Sequence, residues 1–537
     1  MLKQTYLDYA AIGYGNKAVR DYISGTGYIK NFYTLPPTLD SVNQMAHLRS
    51  REEYDRPALV NALLQQHQRL FSELRLPEVH RNIERLRESS VVTVTTAHQP
   101  ALFLGPLFVI YKALSAVLAA RILNQRSDGF YYVPVFWMGS EDHDKNELNH
   151  IHLFGRTLTW NTAQEGAFGR MSTSSLRPWI QEIKNLLGNS PYATQLSQEL
   201  DDAYLREKTI AAATRRLLYH LLGRFGLVVV DGDDVWLKRR FAPLMEKELT
   251  EQFAYQSLSQ SNEKFSIHYP LQITPREINL FYLQESSRER ILREGNHYRI
   301  GENSTPISRE QMLGELQHHP EHFSPNVVLR PLYQETVLPD AAIFGGPAEV
   351  TYWLQLSAVF AATNRQPPVI LPRNALLWID PVNAERMRKA RLSESDLFAP
   401  TDDIIKKYLD DQLGHQISLS NELALIHTVF DQTMEKVLEV DASLRGALEA
   451  DRIRTIKQLE QLEERLRRAA KRKDEAAVQL IHTIKEKLFP AGNWQERHEN
   501  FITFYSRMGP AFFELLLQHL DPFDFRFLVL TEISEAA

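Results

Sequence analysis

Apolar positions along the chain follow two regimes. Between residues 90 and 375, short runs rich in valine, isoleucine and aromatics end in turn residues. They include "SVVTVTTAHQP" (90–100), "FYYVPVFWMGSEDHD" (130–144), "GLVVVDGDD" (226–234) and "PPVILPR" (367–373). None alternates cleanly, which suits strands covered on both faces. "NVVLRP" (326–331) and "AAIFGG" (341–346) are shorter strand candidates. Between the first two runs, "GPLFVIYKALSAVLAARIL" reads as a helix with Pro106 at its first position, where a missing N–H is harmless. Strand, helix, strand in about 50 residues predicts a βαβ unit within a parallel sheet covered by helices on both faces. The stretches 155–225 and 235–325 are too long for simple crossovers and read as insertions; "INLFYLQ" (278–284) alternates as a peripheral strand would.

From about 415 to 488 the pattern changes to apolar steps of three and four. Leu459, Leu462, Leu466 and Ala469 form one row, and Ala477, Ile481, Ile484 and Leu488 another, with charges on the remaining faces. This predicts a coiled coil or helical hairpin. Beyond Pro490, "FRFLVL" (525–530) predicts a strand that returns to the core. The expected organisation is a core at 1–414 with two insertions, a helical coiled coil at 415–489, and a C-terminal segment at 490–537 that rejoins the core.

Composition narrows the classes. A chain of 537 residues, 43% hydrophobic, buries a large core shared by more than one domain. A net charge of −6 carries no footprint for nucleic acid, and the basic run 467–473 reads as a solvated face. Cysteine is absent, which excludes disulfides, thiolate metal sites and a thiol nucleophile from the chain itself. No run approaches the ~20 apolar residues of a membrane span, and the N-terminus lacks a secretory apolar segment. A cytoplasmic protein, with no membrane or nucleic acid as partner, is expected.

Three dense polar stretches carry candidate chemistry. His98 and Gln99 end the first strand before a helix, where parallel sheets bind ligands and helix N-termini attract anions. "SEDHD" (140–144) ends the second, so both turns belong on one sheet edge. Glu141, Asp142, His143 and Asp144 are open to acid–base work or amine binding, to metal ligation with His150 and His152 nearby, or to a structural turn. In 326–356, Arg330 is suited to a carboxylate or phosphate, Gly345 and Gly346 permit close backbone approach, and Glu349 opens a helix. "GYGNKA" (13–18) mimics a dinucleotide fingerprint but lacks a preceding strand, and reads as a turn. In "PAGNWQERHENF" (490–501), Gly492 and Asn493 precede a helix and offer free N–H groups; Trp494 could stack on a base and Arg497 pair with a phosphate.

The stretches "TTAHQPALFLGPLFVIYKALSA", "VPVFWMGSEDHDKNELNH" and "FSPNVVLRPLYQETVLPDAAIFGGPAEVTYWLQL", in that order, resemble the cysteine ligase family of bacillithiol biosynthesis, BshC. The coiled coil and "LFPAGNWQERHENF" (488–501) extend the likeness to essentially the whole chain. One departure is Ala97 before His98-Gln99, where many members carry glycine. The resemblance implies an α/β fold: a Rossmann-like parallel-sheet core similar to nucleotidyl transferases, with connecting insertions and a helical coiled-coil domain that pairs subunits into a homodimer. It implies addition of L-cysteine to glucosaminyl-malate. In that reading His98, Gln99, Asp142, His143 and Asp144 are catalytic, and Lys112, Glu141, Asn326, Arg330, Gly345, Gly346 and Glu349 bind substrate. An adenine nucleotide, ATP or ADP, is the expected cofactor, at Asn493, Trp494, Gln495 and Arg497 or at the 98–112 turn, although no Walker A loop is present. No metal is assigned. The rival classes are a metal-dependent hydrolase built on residues 141–144 and a non-catalytic nucleotide-binding dimer.

Overall fold

The computed structural model describes residues 2–126 and 128–533, the side chains of 413–417 and 473 aside. Two compact units emerge, one of Asp8–Leu376 with Gln495–Leu528, the other of Met1–Leu7, Leu377–Trp494 and Val529–Ala537. The change of unit at Leu376–Leu377 precedes the expected boundary at 414. Residues 381–417 supply helices that pack on the last long helix of the second unit.

The first unit is built on five parallel strands, β1 (Val91–His98), β2 (Tyr131–Met138), β3 (Val228–Asp231), β4 (Asp340–Gly345) and β5 (Val369–Pro372). Their spatial order is β5-β4-β1-β2-β3. The chain moves outward from β1 to β3, then returns to lay β4 on the opposite side of β1. At that reversal the connections leave β1 and β4 in opposite directions, opening a crevice beyond their carboxyl ends. Every residue of β4, and all of β1 before His98, is buried. That explains the unbroken apolar runs. Helix α1 (Phe108–Gln125) joins β1 to β2 and is apolar on almost every face because it too is covered all round.

A polar pin sets the register of β1 against β4. The buried Asp340 carboxylate accepts hydrogen bonds from the hydroxyls of Thr93 and Thr95 and from the Gln334 amide at 2.7 Å. Arg49, fully buried, donates to the Asp340 carbonyl (2.9 Å) and to Glu335 (2.9 Å). Burial pushes the Glu335 carboxyl well up, and its neighbour Asp340 pushes it further.

The second insertion contains helix α2 (Val235–Glu251) and a five-stranded antiparallel sheet that includes the expected strand, at Leu280–Leu283, paired with Arg288–Glu294 and Phe323–Pro325. Three local expectations are corrected. Residues 326–331 form no strand: Asn326 caps a turn that becomes helix α3 (Arg330–Val337). Pro106 is not the first residue of α1, which opens at Phe108, because Pro106 bridges to Asn500 and the Leu107 N–H goes to the Glu499 carbonyl at 2.8 Å. The glycines of 13–18 do follow a strand, Leu2–Leu7, but a helix intervenes and Gly13 serves only as its left-handed cap (φ 68°). After β4 comes helix α4 (Pro347–Gln355).

In the second unit, Leu2–Leu7, Phe527–Glu532 and Leu376–Ile379 form a small separate sheet, so the strand near 525–530 joins this sheet rather than the central one. Four helices follow: α5 (Thr401–Ile417), α6 (Ser420–Val440), α7 (Arg445–Lys473) and α8 (Glu475–Leu488). Helices α6 and α7 form an antiparallel hairpin, locked by Arg452 to Asp431 (2.9 Å) and to His427 (2.8 Å). Leu459 and Leu466 turn inward as expected. Leu462 is 44% exposed, and Ala470 rather than Ala469 is the buried alanine.

Candidate active site

Five polar turns leave the carboxyl edge of the central sheet. His98 ends β1 and Gln99 follows it, Gly139 to Asp144 follow β2, Gly232 to Asp234 follow β3, Gly346-Pro347 follows β4, and Arg373-Asn374 follows β5. Parallel strands make this unavoidable, since all carboxyl ends point one way. The two turns singled out in the sequence touch: Gln99 donates its side-chain amide to Asp142 Oδ2 at 3.0 Å.

At the crevice between β1 and β4, Lys112 reaches up from α1. Its buried ammonium donates to the Ala97 carbonyl (2.6 Å) and pairs with Glu349 Oε2 (2.6 Å). Glu349 also accepts the Gly346 N–H at 2.8 Å, capping α4. Burial would raise this carboxyl, but the Lys112 ammonium and the N–H outweigh it and hold it below its ordinary value. His98 Nδ1 lies 2.9 Å from the Gln99 carbonyl. Burial, aided by the Lys112 charge, pushes its pKa down to about 4, so the imidazole stands neutral at pH 7. A neutral imidazole offers one donor and one acceptor without a competing cation. Ala97 lies within β1 and adopts no positive φ; the left-handed residues come later, at Phe103, Leu104 and Gly105. Asn500 donates to the carbonyls of Phe103 (3.0 Å) and Gly105 (2.6 Å) and holds that turn in place.

The four ionisable residues after β2 separate into two environments. Glu141 turns inward and pairs with the fully buried Lys238 of α2 at 2.7 Å; Lys238 also pairs with Asp233 at 2.7 Å. Asp142, His143 and Asp144 face outward. Burial alone would raise the Asp142 carboxyl. Hydrogen bonds from His143 and Gln99 and the nearby Arg288 guanidinium reverse this and hold it well below the carboxylate range. Arg288 lies 3.7 Å from Asp142 and donates to His143 Nδ1 at 3.1 Å. Asp142, His143 and Asp144 have ligand atoms within 4.8 Å of one another, but this guanidinium already supplies the positive charge a metal would bring.

Arg330 opens α3, half-buried, 3.0 Å from Gln334 and 3.4 Å from the Tyr352 hydroxyl. Asn326 is spent on structure: it caps Val328 (2.9 Å) and donates to Asn279 (2.9 Å). In the second unit, Trp494 lines a groove of about 610 Å³ with Phe398, Lys485, Phe489 and Gly492. The N–H groups of Gly492 and Asn493 are not free, since they close a tight turn onto Phe489 (2.9 Å) and Pro490 (3.0 Å). Gln495 and Arg497 follow in a single helical turn of the first unit, with Gln495 buried.

Sequence reasoning missed Arg288, which sits on a peripheral hairpin 145 residues from His143 with no motif around it. It also missed Lys238, Asp231 and Asp233. The two aspartates had a signal: "DGDD" (231–234) closes β3 much as "SEDHD" follows β2. Arg373, fully buried and paired with Glu496 through two contacts of 2.7 Å, had no local signal.

His98 has a definite pH signature. The unfolded chain, with an ordinary histidine near 6.5, takes up a proton before the folded chain does at about 4. Its contribution to stability is therefore present above pH 6.5 and lost as pH falls toward 4. Unfolding midpoints measured across this window should fall more steeply for the native chain than for His98→Gln. Equal slopes would place a charged imidazole in the folded crevice and contradict the burial argument.

Residues 2–374 match the family described as the N-terminal Rossmann-like domain of bacillithiol biosynthesis BshC, and 376–532 match its C-terminal coiled-coil domain. The "Putative cysteine ligase BshC" of Flavobacterium johnsoniae is 36% identical over 527 residues, spanning 98% of this chain and 99% of that protein. Its namesake in Cytophaga hutchinsonii is 38% identical over 512 residues, 95% of each chain. That of Flavobacterium psychrophilum is 33% identical over 528 residues, 98% of each. With both domains matched in order across nearly its whole length, the chain belongs to the BshC family of bacillithiol biosynthesis.

Proposed function

We propose that this protein joins the carboxyl group of L-cysteine to the amine of glucosaminyl-malate, forming an amide. The observation that carries the reading is the Gln99–Asp142 hydrogen bond, which unites the β1 and β2 turns beside the crevice at the sheet's reversal. Amide formation in water is uphill, so the carboxylate must first be activated. ATP would activate the carboxylate either as an acyl phosphate, releasing ADP, or as an adenylate, releasing pyrophosphate; attack of the amine on the carbonyl carbon would then expel phosphate or AMP, with one proton lost from nitrogen. Neutral His98 and the Gln99 amide suit the activated carboxyl, because neither attracts a counter-charge of its own. Asp142, kept ionised and half-buried, suits an incoming ammonium, with His143 and Asp144 beside it as proton acceptors. Arg330 is assigned the malate carboxylates.

Incubation with L-cysteine and glucosaminyl-malate, with and without ATP, should yield a thiol heavier than glucosaminyl-malate by one cysteinyl group, but only in the ATP arm. No product in either arm overturns the reading, and a product without ATP removes the proposed activation. His143→Ala should lower kcat by about 100-fold without moving the unfolding midpoint. Arg330→Ala should act mainly on KM for the malate-bearing substrate, by about tenfold. Tightly bound metal lost on His143→Ala would instead favour a hydrolase.

An adenine nucleotide is assigned to the 98–112 turn, beside the carboxyl it would activate, or to the groove beside Trp494, whose indole would stack on the base. Calorimetry with ADP and ATP should record binding; Trp494→Ala weakens it when the groove is the site and leaves it unchanged when the turn is. Absence of binding at millimolar concentration removes the nucleotide from both places.

The helical arm is assigned to a homodimer. Helix α6 has no buried residue; Leu425 (66%) and Val429 (55%), one helical turn apart, are exposed on it, and Ile453 (59%) is exposed on α7. A second copy of the same arm would cover them symmetrically. Leu425→Asp with Val429→Asp should give monomers in light scattering, whereas an intact dimer would place the contact elsewhere.

A further inference from the structure

The turn between the helix Arg309–His318 and the strand Phe323–Pro325 gathers two histidines and a carboxylate outside the site described above. His319, Glu321 and His322 each present a ligand atom, and all three atoms lie within 4.8 Å of one another. The set of two imidazoles and one carboxylate is of the kind that holds zinc with a fourth position open. A second carboxylate supports it. Glu315, on the preceding helix, accepts from the Tyr282 hydroxyl (2.8 Å) and lies 2.7 Å from His322 Nδ1. A ring nitrogen tied to a carboxylate leaves the other nitrogen's lone pair for a metal, the arrangement that orients most metal-bound histidines.

Two further observations separate this cluster from an ordinary group of surface charges. Glu321 Oε2 is a buried oxygen with no hydrogen-bond partner. And among the described residues, the ion-pair partners of Glu315 and Glu321 are these histidines alone. Lys238 and Arg170 come close but reach only the Glu321 carbonyl, at 3.1 and 3.4 Å, their charges being committed to Asp233 and Glu141. Neither carboxylate has a lysine or arginine as ion-pair partner among the described residues, in contrast to Asp142, which has Arg288.

We propose that His319, Glu321 and His322 bind one zinc-class divalent cation per chain, with Glu315 orienting His322. The bound ion acts as a staple. The strand that begins at Phe323 provides Ser324 Oγ (3.1 Å) and the Pro325 carbonyl (3.0 Å) to Arg288, and Arg288 reaches Asp142 and His143. Fixing residues 319–322 therefore fixes the perch of the guanidinium that faces the candidate active site.

The test uses the full-length protein, stripped with a chelator and titrated with Zn²⁺ in a calorimeter at neutral pH. One ion per chain should bind and raise the unfolding midpoint. Glu321→Gln and His322→Ala should each abolish binding or weaken it roughly tenfold or more, while Glu315→Gln weakens it less. His143→Ala, at the other cluster, should bind as the native chain does. Circular dichroism of the stripped variants checks their folding, and Glu321→Gln, which preserves shape, stands in if His322→Ala fails to fold. No binding at about 0.1 mM Zn²⁺, binding that survives both Glu321→Gln and His322→Ala, or binding lost in His143→Ala each overturns the proposal.

Discussion

The contact between β1 and β4 is the constraint on which the candidate site rests. These strands are distant in sequence, and nothing in their apolar side chains selects one register over the next. The buried Asp340 carboxylate does, because it fits beside the hydroxyls of Thr93 and Thr95 and a slip of one residue would turn them to the other face. An unpaired carboxylate in this interior would cost several kcal/mol, so the polar pin is more selective than apolar packing alone. Once it is set, the crevice, the Lys112–Glu349 pair across it and the placement of His98 follow from the geometry of parallel strands.

Charge is distributed at the carboxyl edge so that some groups are neutralised internally and others remain available. Glu141 and Asp233 saturate Lys238, and Asp231 takes the Arg215 guanidinium. The Lys238 pairs tie the β2 and β3 turns to α2, and Arg170, which also pairs with Asp233, balances the remaining carboxylate. Asp142, by contrast, is held ionised at the surface of the crevice by donors that leave it partly open. Adjacent residues in the sequence thus play opposite parts: Glu141 is buried against Lys238, and Asp142 is half-buried against Gln99.

The two long insertions contribute to the same edge rather than decorating the periphery. The second supplies Arg288 from a hairpin, and the turn at 319–322 that precedes the partner strand. In this chain the sheet provides the edge, and the insertions provide Arg288 beside Asp142 and Arg170 beside Asp233.

Much of this was legible in the chain itself. Four doubly covered strands, the apolar helix after β1 and the shift to heptad-like spacing past 415 are local patterns, and local patterns survive because burial on both faces or on one stripe dictates them residue by residue. The pairing of His98-Gln99 with Asp142 could be anticipated too, since parallel strands must send their carboxyl-end turns to one edge. What the sequence alone could not decide was everything that depends on who faces whom. Glu141 and Asp142 are indistinguishable as letters, yet one meets Lys238 and the other meets Gln99 and Arg288. Asn326 accepts the Val328 N–H in the turn that leads into α3, and the Gly492 and Asn493 N–H groups, expected to be free, close a turn. Spacing along the chain records periodicity, whereas the partner of a charge is set by long-range packing that brings residues 145 apart within 3.1 Å.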